Sequence, residues 1–236
     1  REFGPAFAAE TPYEEFGVED PRITMIDGRF WITYVAVSRH GAASALASTD
    51  DFRSFVRHGV VFCPENKDVV LFPQRMSESY VALHRPSGSA SFCPPEIWLA
   101  RSPDLAHWGG HQVLCGGEEP WEGARVGAGP PPFALPEGWL VIYHGVGTNS
   151  KTTEVGTYSM GAMLLDREDP TRVLGRSREP ILIPTAGFER RGFVDDITFP
   201  TGVYDRGDIV EVYYGASDKF IGVVEFAKAD VLAAIT

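Results

Sequence analysis

Short runs of apolar and polar residues, each introduced by a turn, dominate the pattern of this chain. The clearest of these runs cover residues 30–37, 80–85, 139–144 and 209–214, and each follows a turn that contains glycine, serine or aspartate. Runs of this length, rich in aromatic and β-branched residues and bounded by turn residues, are typical of β-strands paired in hairpins. No long amphipathic helix is predicted, so we expect an all-β fold.

The strand pattern recurs along the chain at a spacing of about 50 residues, with several strands in each repeat. Residues 45–52 resemble residues 97–105, and each segment leads to an aromatic residue, Phe55 or Trp108. Such recurrence is the signature of a β-propeller, which we predict as a single domain over residues 1–236. The predicted units are 12–65, 66–120, 121–190 and 191–236. A β-sandwich is the alternative fold, but it does not explain why aligned units recur.

Composition limits the partners of the chain. The 236 residues carry a formal net charge of −11, which disfavours nucleic acids and anionic membranes because both attract positive surfaces. Three cysteines without C-x-x-C spacing argue against a disulfide framework or a zinc site and favour a reducing compartment, the cytoplasm. No apolar run is long enough to span a membrane, and no signal peptide is visible. Any bound anion must therefore be held by a local cluster of cations.

The segment Gly17-Val18-Glu19-Asp20-Pro21-Arg22 sets two carboxylates and a guanidinium beside a proline. Pro21 disfavours the helical region for Asp20, which predicts extended backbone at this residue. Neighbours in extended chain point to opposite faces, so only one of Glu19 and Asp20 is expected to face a given pocket. A surface turn with a local Asp–Arg pair is the simpler interpretation of this segment.

Four basic segments lie at or near the ends of predicted inner strands. They are Asn66-Lys67-Asp68, Leu83-His84-Arg85, Gly123-Ala124-Arg125 and Tyr143-His144-Gly145. Each segment alone is compatible with a solvated charge or an ordinary turn. Together they bring one cationic or imidazole group to several consecutive strands or loops, which is the arrangement that a bound phosphate requires.

The ordered set of these motifs resembles glycoside hydrolase family 130, the β-mannoside phosphorylases and their relatives. The matching segments, in chain order, are 17–22, 66–73, 83–85, 125–127, 138–145, 193–202 and 213–218. The resemblance implies a five-bladed β-propeller and the inverting phosphorolysis of β-mannosides to α-mannose 1-phosphate. Its partners would be an oligosaccharide and inorganic phosphate as co-substrate. No metal or organic cofactor is implied.

The resemblance also implies roles for individual residues. Asp20 matches the general acid, whose proton reaches the glycosidic oxygen through a sugar hydroxyl. The positions that hold phosphate are matched by Lys67, Arg85, Arg125 and His144. On the sugar side, the resemblance points to Asp218, Arg22, Asp68 and Tyr143.

Two other functions stay open at this point. A β-mannoside hydrolase on the same scaffold would need a second carboxylate to activate water, whereas phosphate arrives as a nucleophile. Glu19 is a weak candidate for that carboxylate, because the alternation of side chains turns it away from Asp20. The other alternative is a glycan-binding propeller without catalysis.

The position of Asp20 sets a further expectation. Only 19 residues precede it, whereas the family carries roughly a blade of additional sequence there. We therefore expect either that the chain is a fragment, with an incomplete N-terminus, or that the ring lacks a blade. An open sheet edge favours association, so a homo-oligomer is also expected.

Overall fold

The computed structural model describes residues 7–88, 90, 92–147 and 155–235. These residues form four antiparallel sheets, which we number blades 1 to 4 in chain order. The all-β prediction is confirmed, since the only helical segments in the described part are a 3₁₀ turn at Pro12–Glu14 and two short helices, α1 (Gly187–Arg190) and α2 (Lys228–Ala234). None of the described helices has the length and apolar character needed to cross a bilayer.

The strands follow one another in simple up-and-down order. Blade 1 contains β1 (Gly17–Ile26), β2 (Arg29–Ser38), β3 (Gly41–Thr49) and β4 (Val56–Phe62). Blade 2 contains β5 (Asn66–Leu71), β6 (Tyr80–Pro86), β7 (Ile97–Ser102) and β8 (Gly109–Cys115). Blade 3 contains β9 (Arg125–Ala128), β10 (Phe133–Leu135), β11 (Gly138–Val146), β12 (Tyr158–Leu165) and β13 (Val173–Arg176). Blade 4 contains β14 (Thr198–Asp205), β15 (Ile209–Ala216) and β16 (Phe220–Ala227).

The blades are arranged as a propeller around the first strand of each sheet. Strand β1 contacts β5 and β14, and β5 contacts β9, so these strands share the centre of the molecule. In blade 3 this inner position is divided between β9 and β10, which both pair with β11. The described residues form four blades, so the five-bladed prediction is not confirmed by this structure.

The hydrophobic core lies between neighbouring blades. Strand β5 shows how this works, because its side chains alternate between two interfaces. Val69 and Leu71 pack in the cluster shared with blade 1, whereas Val70 and Phe72 pack in the cluster shared with blade 3. A strand buried on both faces needs a continuous apolar run, which is why this segment reads Val-Val-Leu-Phe rather than alternating with polar residues.

The first strand of every blade is irregular near the middle of its pairing with the second strand. The register shifts between Glu19 and Arg22 in β1, and between Lys67 and Val70 in β5. In β14 it shifts after Pro200, and in blade 3 the wider gap between β9 and β10 interrupts the strand. Such bulges leave residues unpaired and redirect their side chains, which places unusual backbone at the centre of the ring.

The prediction of extended backbone at Asp20 is wrong. Its φ is +52°, in the left-handed region, and Asp68 in the corresponding bulge of blade 2 has a φ of +55°. Pro21 does exclude the right-handed helical region, but the bulge selects the left-handed alternative, which aspartate tolerates better than most residues. As a consequence, strand alternation no longer separates Glu19 from Asp20.

Candidate active site

A polar cavity of about 640 Å³ opens where the inner strands of the four blades meet. Its walls combine carboxylates and cations from blades 1 to 3 with an aromatic and apolar surface from blade 4. The lining residues are Glu19, Asp20, Lys67, Asp68, Arg85, Ser87, Arg125, Val155, Tyr158, Phe193, Val194, Ile197, Phe199 and Asp218. Six of the nine predicted site residues are therefore brought together, namely Asp20, Lys67, Asp68, Arg85, Arg125 and Asp218.

Asp20 lies in the β1 bulge at the wall of the cavity. Burial raises the pKa of its carboxyl group, the neighbouring Arg22 opposes this shift, and the charge of Asp68 adds to it. The main-chain carbonyl of Asp20 accepts a hydrogen bond of 3.1 Å from Nη1 of Arg22, which fixes the bulge. A carboxyl group with a raised pKa keeps its proton to a higher pH than an exposed one, as a general acid must.

Asp68 is a buried anion in the floor of the cavity. Its Oδ2 accepts a hydrogen bond of 2.5 Å from Nε of Arg85 and lies 3.6 Å from Nε2 of His144. Burial alone would raise the pKa of Asp68, but Arg85, His144 and Arg22 together lower it to about 2. Its other oxygen, Oδ1, has no hydrogen-bond partner among the described residues. Asp68 is therefore ionised and holds the guanidinium of Arg85 in place.

Three cations reach the cavity from two adjacent blades. Lys67 is partly exposed and lies 3.7 Å from the carboxylate of Glu19, whereas Arg85 is nearly buried beside Asp68. The guanidinium of Arg125 lies over the Tyr158 ring, 5.5 Å from its centroid. A group of one lysine and two arginines supplies the charge-assisted hydrogen bonds that an oxyanion needs, despite the acidic composition of the whole chain.

His144 is placed behind the cavity rather than in its wall. The ring is fully buried, with the Tyr158 and Phe199 rings beside it at centroid distances of 5.5 and 4.7 Å. Burial lowers the pKa of His144 to about 3 even though Asp68 acts in the opposite direction, so the imidazole is neutral at physiological pH. The ring lies beside Asp68 and outside the cavity lining, and the phosphate contact of His144 stays a prediction.

Gly127 has no side chain, and this leaves the space in which His144 and Asp68 lie side by side. A Cβ atom at this position would overlap both Oδ2 of Asp68 and the His144 ring. Glycine is therefore required two residues after Arg125, where β9 passes close to the floor of the cavity. The Arg125-Val126-Gly127 motif thus combines a cation for the wall with space for the buried pair below it.

Arg22 lies beneath the cavity and is also absent from its lining. Its Nε donates a 2.7 Å hydrogen bond to the carbonyl of Gly129, and its guanidinium lies 4.9 Å from the centroid of the Phe199 ring. Its side chain is 1% exposed. Arg22 thus links the bulge of β1 to blades 3 and 4, and its contact with a sugar stays a prediction.

Tyr143 lies on the far face of β11, because adjacent residues of a strand point to opposite faces and His144 takes the face toward Asp68. Its hydroxyl donates a 2.8 Å hydrogen bond to Oε2 of Glu122, away from the cavity. The structure therefore places Tyr143 outside the cavity lining, and its role in sugar binding stays a prediction.

Blade 4 contributes the apolar part of the cavity. Phe193, on the loop after α1, is 85% exposed although it is aromatic, and Val194 and Phe199 lie near it in the lining. Asp218 adds a carboxylate whose pKa is raised by burial and by the charge of Glu19. An exposed aromatic ring beside polar groups is a common feature of ligand sites.

Two features of the cavity were missed from the sequence. Glu19 lines the same cavity as Asp20, because the bulge cancels the opposite-face argument. Tyr158 and Ser87 also line it, but neither carries a local sequence signal, since each lies at or just beyond a strand end that only the ring brings to the centre.

Comparisons with known proteins point to one family. The family model Glyco_hydro_130, described as beta-1,4-mannooligosaccharide phosphorylase, matches residues 1–236. The chain is 42% identical over 223 residues to the beta-1,2-mannobiose phosphorylase of Listeria innocua, and this match covers 93% of this chain and 60% of that protein. It is 38% identical over 231 residues to the 1,2-beta-oligomannan phosphorylase of a Thermoanaerobacter species, and this match covers 96% of this chain and 74% of that protein.

Nearly the whole of this chain has the same fold as part of a solved relative. The structure of the Listeria innocua beta-1,2-mannobiose phosphorylase in complex with beta-1,2-mannobiose superposes with a TM-score of 0.92 at 40% sequence identity. The superposition covers 99% of this chain and 65% of that one. The chain thus spans 60% of the curated Listeria innocua relative that it matches.

Proposed function

The chain belongs to glycoside hydrolase family 130, and from that premise we propose that it cleaves β-mannosides by inverting phosphorolysis, with α-mannose 1-phosphate as product. The observation that carries this proposal is the composition of the cavity wall. Lys67, Arg85 and Arg125 supply three cations, and Asp20 supplies a carboxyl group with a raised pKa.

Phosphate would occupy the side of the cavity formed by blades 2 and 3. There the three cations offset the charge of a phosphate dianion and its repulsion from Asp68 and Asp218. They would also hold the phosphate in line with the anomeric carbon, on the face opposite the leaving group. On this side of the cavity, Asp68 would orient Arg85. The neutral His144 would support Asp68 by packing behind it.

The mannoside would occupy the side formed by blades 1 and 4. Asp20 would donate its proton to the leaving sugar, while Asp218 would accept hydroxyl hydrogen bonds and Phe193 would offer an apolar surface to a sugar ring. We propose β-1,2-linked mannobiose as the first substrate to test, because the two relatives at 42% and 38% identity are named for β-1,2-linked mannosides.

A hydrolase remains the second candidate because Glu19 shares the cavity with Asp20. Inverting hydrolysis requires a second carboxylate as the base that activates water. Glu19 is half-exposed and lies 3.7 Å from Nζ of Lys67. The same ion pair also places Glu19 next to a cation that phosphate would use, so phosphate binding and a free Glu19 base compete in this geometry.

The five-bladed ring is part of the proposal as well. Blades 2 and 3 are covered on both faces, whereas blades 1 and 4 each expose one apolar face. The exposed side chains include Ile23 and Met25 in blade 1, and Tyr213, Ile221 and Val223 in blade 4. A fifth blade between them would bury both faces, as the family resemblance implies. That the protein forms a homo-oligomer stays a separate prediction.

The proposal predicts that cleavage of β-1,2-mannobiose depends on inorganic phosphate. The rate should rise with phosphate concentration to saturation and fall to the background rate when phosphate is omitted, because no other nucleophile is held by Lys67, Arg85 and Arg125. The measurement is mannose release in a buffer free of phosphate, to which phosphate is then added. Equal turnover with and without phosphate would favour the hydrolase, and no turnover in either would favour a glycan-binding protein.

The raised pKa of Asp20 predicts the direction of the pH dependence. A general acid must be protonated, so kcat at saturating phosphate should fall as the pH rises through the pKa of Asp20. Lys67 lowers this pKa, so Lys67→Met should move the alkaline limb to higher pH, whereas Lys67→Arg should leave it in place. An alkaline limb that is the same in Lys67→Met and the wild type would contradict the assignment of Asp20.

A further inference from the structure

A buried hydrogen bond between a tyrosine and a glutamate recurs in three of the four described blades. The tyrosine lies on the second strand, opposite the irregular point of the first strand. The hydroxyls of Tyr34, Tyr143 and Tyr214 donate to Glu14, Glu122 and Glu189 at 2.7, 2.8 and 2.6 Å. All six residues are less than 5% exposed. We call each pair a Tyr–Glu latch.

The second carboxylate oxygen has the same kind of partner in all three glutamates. It accepts hydrogen bonds from the backbone N–H groups three and four residues earlier, at distances between 2.7 and 3.4 Å. The glutamate therefore closes a turn in the segment that enters the blade, and the tyrosine ties this turn to the second strand. Satisfaction of both side-chain oxygens is what allows these glutamates to be buried.

Two of the latches are completed by an arginine. Nε of Arg57 lies 3.1 Å from Glu14, and Nη2 of Arg176 lies 2.9 Å from Glu122. Burial alone would raise the pKa of Glu14, but hydrogen bonds from the backbone, Tyr34 and Arg57 lower it to about 2. The glycines opposite Tyr143 and Tyr214, Gly161 and Gly222, leave room for the tyrosine rings, because a Cβ atom there would overlap them.

Each latched turn leads directly to a different wall of the cavity. Glu14 precedes β1 with Asp20, Glu122 precedes β9 with Arg125, and Glu189 precedes the loop that carries Phe193. Blade 2 has His84 at the corresponding position, opposite the Asp68 bulge. There Asn66, the residue before Lys67, has its Nδ2 atom 3.0 Å from Nδ1 of His84. Every blade thus fixes the chain just before its contribution to the cavity.

We propose that the three Tyr–Glu latches are positioning elements, each of which holds one wall of the cavity independently of the other two. The latch of blade 1 positions Asp20, the latch of blade 3 positions Arg125, and the latch of blade 4 positions Phe193. The roles of these three walls rest on the proposed function, whereas the mechanical coupling from turn to wall does not.

The kinetic test uses Tyr34→Phe, Tyr143→Phe and Tyr214→Phe, which remove one hydroxyl each and keep the ring. Loss of one buried hydrogen bond should change the matching parameter by about tenfold. We expect a lower kcat for Tyr34→Phe, a higher KM for phosphate for Tyr143→Phe, and a higher KM for mannobiose for Tyr214→Phe. Tyr80→Phe, on β6 outside the latches, is the control with unchanged kinetics. Equal changes of all parameters in all three variants would overturn the proposal.

A second measurement separates failure of the latches from failure of the proposed function. Hydrogen–deuterium exchange without substrate should accelerate from the latched turn into the adjacent wall, for example from residues 118–122 into β9 in Tyr143→Phe. If the wild type has no phosphorolysis, the proposed function fails, and exchange alone decides the inference. Acceleration confined to the turn, or spread over the whole domain, would overturn it. Glu122→Gln has one acceptor oxygen in place of two, so it loses either the Tyr143 hydrogen bond or those from the backbone, and it replaces Tyr143→Phe if the latter does not fold.

Discussion

Asp20→Asn should abolish phosphorolysis while the fold and its thermal stability are retained. The amide has nearly the same shape as the carboxyl group but has no acidic proton for the leaving sugar. General acid catalysis typically contributes a factor of about 10²–10⁴, and we expect a loss of kcat in this range. Because burial raises the pKa of Asp20, the neutral amide also removes a charge that the cavity disfavours, so the protein should not be destabilised.

The measurement is the initial rate of mannose 1-phosphate release, with the melting temperature recorded in parallel. Asp27→Asn is a matched control, because Asp27 also has a left-handed φ of +52° in blade 1 but lies in an exposed turn. Asp27→Asn should leave the rate unchanged. Retained turnover in Asp20→Asn would show that the acid is another carboxyl group of the cavity.

Arg85→Met should both destabilise the protein and abolish phosphate binding. Arg85 is the main partner of the buried Asp68 carboxylate, whose side chain is only 1% exposed. Removal of one partner of a buried ion pair leaves an uncompensated charge and costs about 3–5 kcal/mol of the free energy of unfolding. The loss should be visible as a lower denaturant midpoint, and phosphate binding should be undetectable by calorimetry.

The double variant Asp68→Asn/Arg85→Met separates the two effects. Replacement of both charges removes the buried unpaired carboxylate, so most of the lost stability should return. Phosphate binding should not return, because the cation is still absent. Recovery of phosphate binding in the double variant would contradict the role of Arg85, and a stable single Arg85→Met variant would contradict the buried pair.

The sequence was sufficient to predict the strands and the convergence of distant motifs. The predicted run 139–144 lies within β11, and the all-β class follows from such hairpins. Asp20, Lys67, Arg85, Arg125 and Asp218 meet in one cavity although they are separated by up to about 200 residues in the chain. Recurrent units on a ring explain this, because equivalent positions in each unit face the same axis.

The backbone at the centre could not be predicted in the same way. A bulge depends on the pairing partner, so the left-handed Asp20 and its neighbour Glu19 in the same cavity are consequences of register rather than of local sequence. Tyr143 and His144 belong to one motif, yet strand alternation sends them to opposite faces. Arg22 and His144 are buried by neighbouring blades, and no local pattern indicates that.

The Tyr–Glu latches of Tyr34, Tyr143 and Tyr214 were not predicted from the sequence. The tyrosine of each latch lies on the second strand, while the glutamate lies 20 to 25 residues away in the chain, in a turn with little sequence signature. Only the structure shows that these residues are adjacent.

The identity of the sugar product tests the central claim most directly. β-1,2-Mannobiose is incubated with the protein and inorganic phosphate, and the products are followed by ³¹P and ¹H nuclear magnetic resonance. We predict one molecule of α-mannose 1-phosphate and one of free mannose for each bond cleaved. Two molecules of free mannose for each bond, with no phosphorylated sugar, would contradict phosphorolysis.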